Sequence, residues 1–166
     1  MAKQDDGSLI YRETVTFPPW VWSLIALPYV VYAVVLIAGF TNRKLGQAGP
    51  TTWVALGVLL VFVPLIINFR RLDFNVTADT IEFGFGAWPR KRFDRLDLQD
   101  CEPYQLTFAN YKGYGIRYGT DGTTAYNTRN GPGIKLTFYD EDRPFVVSLS
   151  DPMQVCSMLM NPDTRF

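Results

Sequence analysis

GYGIRYGTDGTTAYNTRNGPGIKLTFY, Gly113–Tyr139, decides how the C-terminal half of this 166-residue chain is read. It is dense in glycine, threonine and tyrosine. Either it is a glycine loop that cradles a phosphate, or it is a set of sheet turns. The phosphate-loop pattern GxxxxGK[ST] is absent, and GYGIRYG does not space its glycines as GxGxxG. No buried strand followed by an amphipathic helix flanks it, as a dinucleotide site requires. The sheet reading explains more. Glycine serves tight turns and close strand approach. GTDG and RNGPG are turn signals, and Asn-Gly suits positive backbone angles. At the end of the stretch Ile134, Leu136 and Phe138 alternate with Lys135, Thr137 and Tyr139, the period of a half-buried strand.

Working outward, PFVVSL places Phe145, Val147 and Leu149 on one face of a second strand. Asp140, Glu141 and Asp142 between the two strands predict a solvated hairpin turn. A calcium loop needs more oxygen ligands at ordered spacing. Upstream, LDFNV and TIEFGF alternate around TADT as another hairpin, and GFGAWPRKRF turns at residues 86–89 into a further strand. GYGIRY and TTAYN form short strands around GTDG. At the end, SDPMQVCSMLMNP predicts a helix over about 151–161. Asp151 is its N-cap, Pro152 its first helical residue, and Asn161-Pro162 its stop. The expectation for residues 70–166 is six or seven short antiparallel strands in a bent sheet or partly open barrel, closed by that helix.

The first half reads differently. No charged residue occurs from Thr14 to Asn42, with a core at Trp20–Phe40, or from Leu45 to Phe69, with a core at Thr51–Phe69. At 1.5 Å per residue the first core spans the ~30 Å hydrocarbon layer of a bilayer. A signal peptide would have a shorter run and a basic start. The expectation is a transmembrane helical hairpin over residues 17–69, with helices at about 20–40 and 51–69, after a cytoplasmic segment of residues 1–16. The fold class expected is thus an α+β membrane protein. Lysine and arginine favour both termini, and the C-terminal domain, on the cytoplasmic side of a multi-pass inner-membrane protein. Pro28 and Pro64 predict kinks. Tyr29 and Tyr32 need hydroxyl partners, either a neighbouring carbonyl or another protein. No Asp, Glu, Lys or Arg lies in either span, which argues against transport.

Sixteen basic and sixteen acidic residues cancel, so nothing draws the chain globally to nucleic acid. The chain has no histidine, which removes the commonest general base and metal ligand. No cluster suggests zinc, haem or another cofactor. Cys101 is next to Glu102 but has no histidine to activate it, and Ser148 and Ser150 have no identifiable base, so no catalytic residue is assigned. Cys101 and Cys156 form no CxxC pair, and their spacing leaves open whether they meet. In a cytoplasmic domain they would be reduced packing residues.

The order of two apolar helices, the exit FRRLDFNVTADTIEFGF, and a β-rich region ending in VVSLSDPMQVCSML resembles bacterial membrane proteins with a pleckstrin-homology-like domain. Gly115, Ile116, Arg117, Tyr126, Asn127, Gly133 and Pro152 carry the resemblance. It implies a seven-stranded bent sheet capped by a helix, and no agreed enzyme activity.

Two groups of residues follow as candidate contacts. Arg70, Arg71, Trp88, Arg90, Lys91 and Arg92 suit an anionic membrane surface, where each cation contributes ~1 kcal/mol, or are ordinary surface charge. Tyr29, Tyr32 and Arg117 suit a protein partner, with Arg117 either holding an anion or paired locally. The function expected is a non-catalytic, membrane-anchored interaction protein. It would serve as an accessory or assembly subunit, with lipids, other integral membrane subunits or copies of itself as partners. The alternative is a sensor of anionic lipid or a small ligand.

Overall fold

The computed structural model describes residues 9–41, 50–87 and 90–161. They divide into two compact units, residues 17–68 on the one hand, and residues up to 16 together with 69 onward on the other.

The β unit grows from the alternation in the sequence. Strands β1 (Leu9–Thr16), β2 (Arg71–Thr77), β3 (Thr80–Phe85) and β4 (Arg90–Asp94) form a four-stranded antiparallel sheet in chain order. A single 3-10 turn, Arg95–Asp97, leads into β5 (Leu98–Leu106). After the short helix α3 (Phe108–Tyr111) come β6 (Gly115–Tyr118), β7 (Thr124–Asn127), β8 (Gly131–Phe138) and β9 (Phe145–Ser148). These make a second sheet in the order β5-β8-β9-β7-β6. Its β7 and β9 run parallel; its other pairs are antiparallel.

Period-two burial fills the space between the sheets. Leu72, Phe74 and Val76 on β2, Ile81, Phe83 and Phe85 on β3, and Ile134, Leu136 and Phe138 on β8 are all buried. Rings from the two sheets meet directly: Phe83 lies 5.1 Å from Tyr126 and 5.5 Å from Phe145, and Phe93 stacks on Phe138 at 4.1 Å. Such offset and edge contacts add to area burial. The other face of the second sheet is covered in part by Leu106 and Tyr111, which pack with Ala125 and Val146. This explains why every residue of β7 and β9 is buried.

The closing helix α4 (Pro152–Met160) starts where the sequence predicts. Asp151 accepts the Gln154 amide at 3.1 Å, and Pro152 opens the first turn. Val155, Cys156 and Leu159 form its buried face. Cys156 is disulfide-bonded to Cys101 on β5, with Cα atoms 5.3 Å apart. The expectation of reduced thiols is therefore corrected: helical spacing turns Cys156 toward the strand that carries Cys101. Disulfides persist in oxidising compartments.

The second unit holds α1 (Pro19–Thr41, 23 residues) and α2 (Pro50–Asn68, 19 residues, with Pro64 inside). Among the described residues, no helix is long and apolar enough to cross a membrane. The expected transmembrane hairpin, the α+β membrane fold class and the multi-pass inner-membrane location with cytoplasmic termini are corrected on that finding. The physical reason is that a charge-free run is not itself a helix. Thr14–Thr16 of the first run belong to β1, the joining residues 42–49 lie outside the described set, and α2 ends at Asn68. At 1.5 Å per residue its length is ~28 Å, and it contains Pro64, which leaves one backbone hydrogen bond unmade. The expected single bent antiparallel sheet or partly open barrel is also replaced. The fold is α+β with two sheets, one containing a parallel pair.

Candidate binding site

The glycine-rich stretch supplies strands and turns. Gly115, Gly122 and Gly131 have φ of 96°, 81° and 125°, where side chains are strained. A Cβ on Gly133 would strike the Val147 carbonyl oxygen and Leu106 Cδ1, so glycine here permits β8 and β9 to close.

The turn GTDG is locked by side chains. Tyr104 donates its hydroxyl to Asp121 at 2.5 Å, and Asn110 donates to the Tyr104 oxygen at 2.9 Å. The Thr123 hydroxyl and amide donate to the other Asp121 oxygen at 2.7 and 3.2 Å. Burial works against the Asp121 carboxylate, but the hydrogen bonds from Tyr104 and Thr123 win and hold its pKa below the ordinary value. Burial, then the bond to Asp121, raises the Tyr104 pKa. These bonds make the cluster a clamp that pins the β6–β7 turn to Tyr104 of β5 and Asn110 of α3.

Beside that clamp lies a concavity of about 610 Å³. Tyr126 and Phe145 form its floor; Ile116 and Tyr118 of β6, Lys91 of β4, and Asp140, Glu141, Asp142 and Arg143 of the β8–β9 turn are among its walls. The charges are arranged in part. Lys91 Nζ lies 3.1 Å from Glu141 Oε1 and over the Phe93 and Phe145 rings at 5.7 and 5.4 Å. The Arg143 guanidinium lies over Tyr118, 5.5 Å from its ring centroid. Burial, followed by the nearby Tyr118 and Glu141, raises the Tyr126 pKa and keeps its phenol neutral. The lining thus pairs aromatic area with charges of both signs. Among the described residues no three His, Cys, Asp or Glu side chains are grouped to hold a metal.

The residues singled out from the sequence scatter. Arg90 is exposed but paired: it donates to Asp73 Oδ2 at 2.9 Å, Glu82 Oε1 at 2.8 Å and the Gly86 carbonyl at 2.6 Å. The buried Asp73 also takes the Thr14 hydroxyl at 2.8 Å and sits 3.5 Å from Arg71 Nε. Lys91 reaches the concavity. Arg92 is exposed opposite Glu82, and Arg70 is exposed; Trp88 lies outside the described residues. Arg117 is exposed, donating to the Tyr114 carbonyl at 3.1 Å and covering Gly113. Tyr29 lines an apolar groove of about 180 Å³ between α1 and α2, with Trp22, Ala26, Val63, Ile66 and Ile67; Tyr32 is half-buried and does not line it. Sequence reasoning missed Tyr118, Tyr126 and Phe145 as one surface because they come from three strands joined only by tertiary pairing. The DED turn and Lys91 were the parts of the site's rim that the sequence had singled out.

No protein-family model matches the chain, and no curated protein or solved structure matches it significantly.

Proposed function

We propose that this chain is a non-catalytic interaction protein, an accessory or assembly subunit that packs its helical unit against an apolar helix of another protein. The supporting observation is a stripe on α1. Trp20, Leu27, Val30, Val34 and Ile37 are exposed large apolar residues, the last four at 64, 59, 59 and 62%. Their spacing steps by seven, three, four and three. That is the seam of helix-on-helix packing, in which apolar knobs enter holes of a facing helix. Contiguous apolar surface of this kind marks an interaction site. The lipid- or ligand-sensor alternative has less support, because Arg90 and Lys91 are in ion pairs with Glu82, Asp73 and Glu141.

A photo-crosslinking residue at Val34, in the chain expressed in its own host, tests this. An adduct with a second protein, diminished by Val30→Asn with Ile37→Asn, is expected. An adduct at the mass of two copies replaces the accessory-subunit reading by self-association. The absence of any protein adduct, with the chain recovered only in detergent or lipid, overturns it.

A further inference from the structure

We infer that the concavity at the open edge of the second sheet receives an extended, basic peptide that adds as a strand to β6. β6 is the outermost strand of that sheet. Its register with β7 pairs Ile116 with Tyr126, Arg117 with Ala125 and Tyr118 with Thr124. The Gly119 amide donates to the Thr123 carbonyl at 2.8 Å. Because antiparallel ladders alternate, Arg117 and Gly115 share the inward phase of Gly119. The amides and carbonyls of Ile116 and Tyr118 therefore face the open edge.

The same two residues put their side chains on the concavity. Unpaired edge groups and a large cavity thus coincide at one place. An exposed edge is a template for another strand; β6 is four residues long, so the concavity beside it supplies the further contacts. Strand addition draws affinity from the main chain and specificity from pockets for alternate side chains.

Charge selects the occupant. The rim carries Asp140, Glu141 and Asp142 against Lys91 and Arg143. Lys91 is spent on Glu141, and Arg143 lies over Tyr118. Asp140 and Asp142 have no ion pair among the described residues. A lysine or arginine on the incoming strand meets these carboxylates, with its aliphatic stem on Tyr118 and Tyr126. An acidic strand meets repulsion.

The probe is a labelled (Lys-Thr)₄ octapeptide, with (Glu-Thr)₄ as control, titrated against the 166-residue chain by fluorescence anisotropy. Hydrogen exchange at Ile116 and Tyr118 is read in parallel. The lysine peptide is expected to bind and to protect those two amides, and the glutamate peptide to fail. Asp140→Asn with Asp142→Asn, on an exposed turn, is expected to weaken binding at least fivefold and flatten its salt dependence. Ile116→Pro removes an edge-facing N–H together with the Ile116 side chain on the concavity and is expected to weaken binding as well. Equal binding of both peptides, an affinity unchanged in the double Asn variant, or protection elsewhere overturns the inference. A concentration-dependent dimer that protects the same amides without peptide overturns it in favour of a second copy.

Discussion

Asp73 illustrates how one residue can absorb charges that look free in sequence. It is buried, and Arg90, Arg71 and Thr14 gather around it. Arg90→Ala removes its nearest cation while Arg71 and Thr14 remain; a loss of about 1–3 kcal/mol is expected, read as a shift of the urea midpoint at constant slope. Gly133→Ala tests the strand approach. Because a backbone carbonyl is in the way, the strands must part, and overpacking of this sort costs about 1–3 kcal/mol. Both variants keep the concavity's walls, so peptide binding by the folded fraction should persist.

At the scale of elements, the α4–β5 disulfide and the Asp121 clamp bind distant pieces. The bond between Cys101 and Cys156 closes a separation of 55 residues. In the chain-entropy account such a loop is worth about 4 kcal/mol, and typical values are 2–4. Cys101→Ser with Cys156→Ser should therefore lower stability by about 2–4 kcal/mol in urea titrations, and reduction of the native chain should do the same. The clamp imposes a pH profile. The Asp121 pKa is lowered on folding, so its stabilisation is present above the unfolded value of ~3.9 and is lost as pH falls through the folded value. The pKa values of Tyr104 and Tyr11 are raised, chiefly by burial, so their stabilisation is full below the unfolded value of ~10 and is lost as pH rises through the folded values. Thermal melts should fall off at both extremes, and Tyr104→Phe should reduce the alkaline loss.

For the whole molecule, the two surfaces proposed for binding differ in chemical terms. The α1 stripe is apolar and spaced for a helix, whereas the β6 edge offers backbone groups within a charged, aromatic concavity. Binding at the first should be insensitive to salt, and binding at the second should weaken with it. Parallel titrations at low and high ionic strength, with the Val34 crosslink as one readout and the octapeptide as the other, are expected to separate the two.

The sequence by itself determined what local chemistry can determine. The alternation of β2–β3 and β8–β9, the turns at TADT and DED, and the start of α4 at Asp151-Pro152 depend on neighbours in the chain. β1 was not legible, because its inward row is Tyr11, Glu13 and Val15. The polar Glu13 holds its place by accepting the Ser150 amide and the Tyr11 hydroxyl, the first of them 137 residues away. Charge-free runs announced two helices but not what surrounds them, since hydropathy measures avoidance of water and is silent on what replaces it. Tertiary structure alone decided the parallel pairing of β7 with β9, the meeting of Cys101 with Cys156, and the gathering of Lys91, Tyr118, Tyr126 and Asp142 around one hollow. Each depends on which strands lie side by side, and strand order is set by burying whole faces at once rather than by any short stretch.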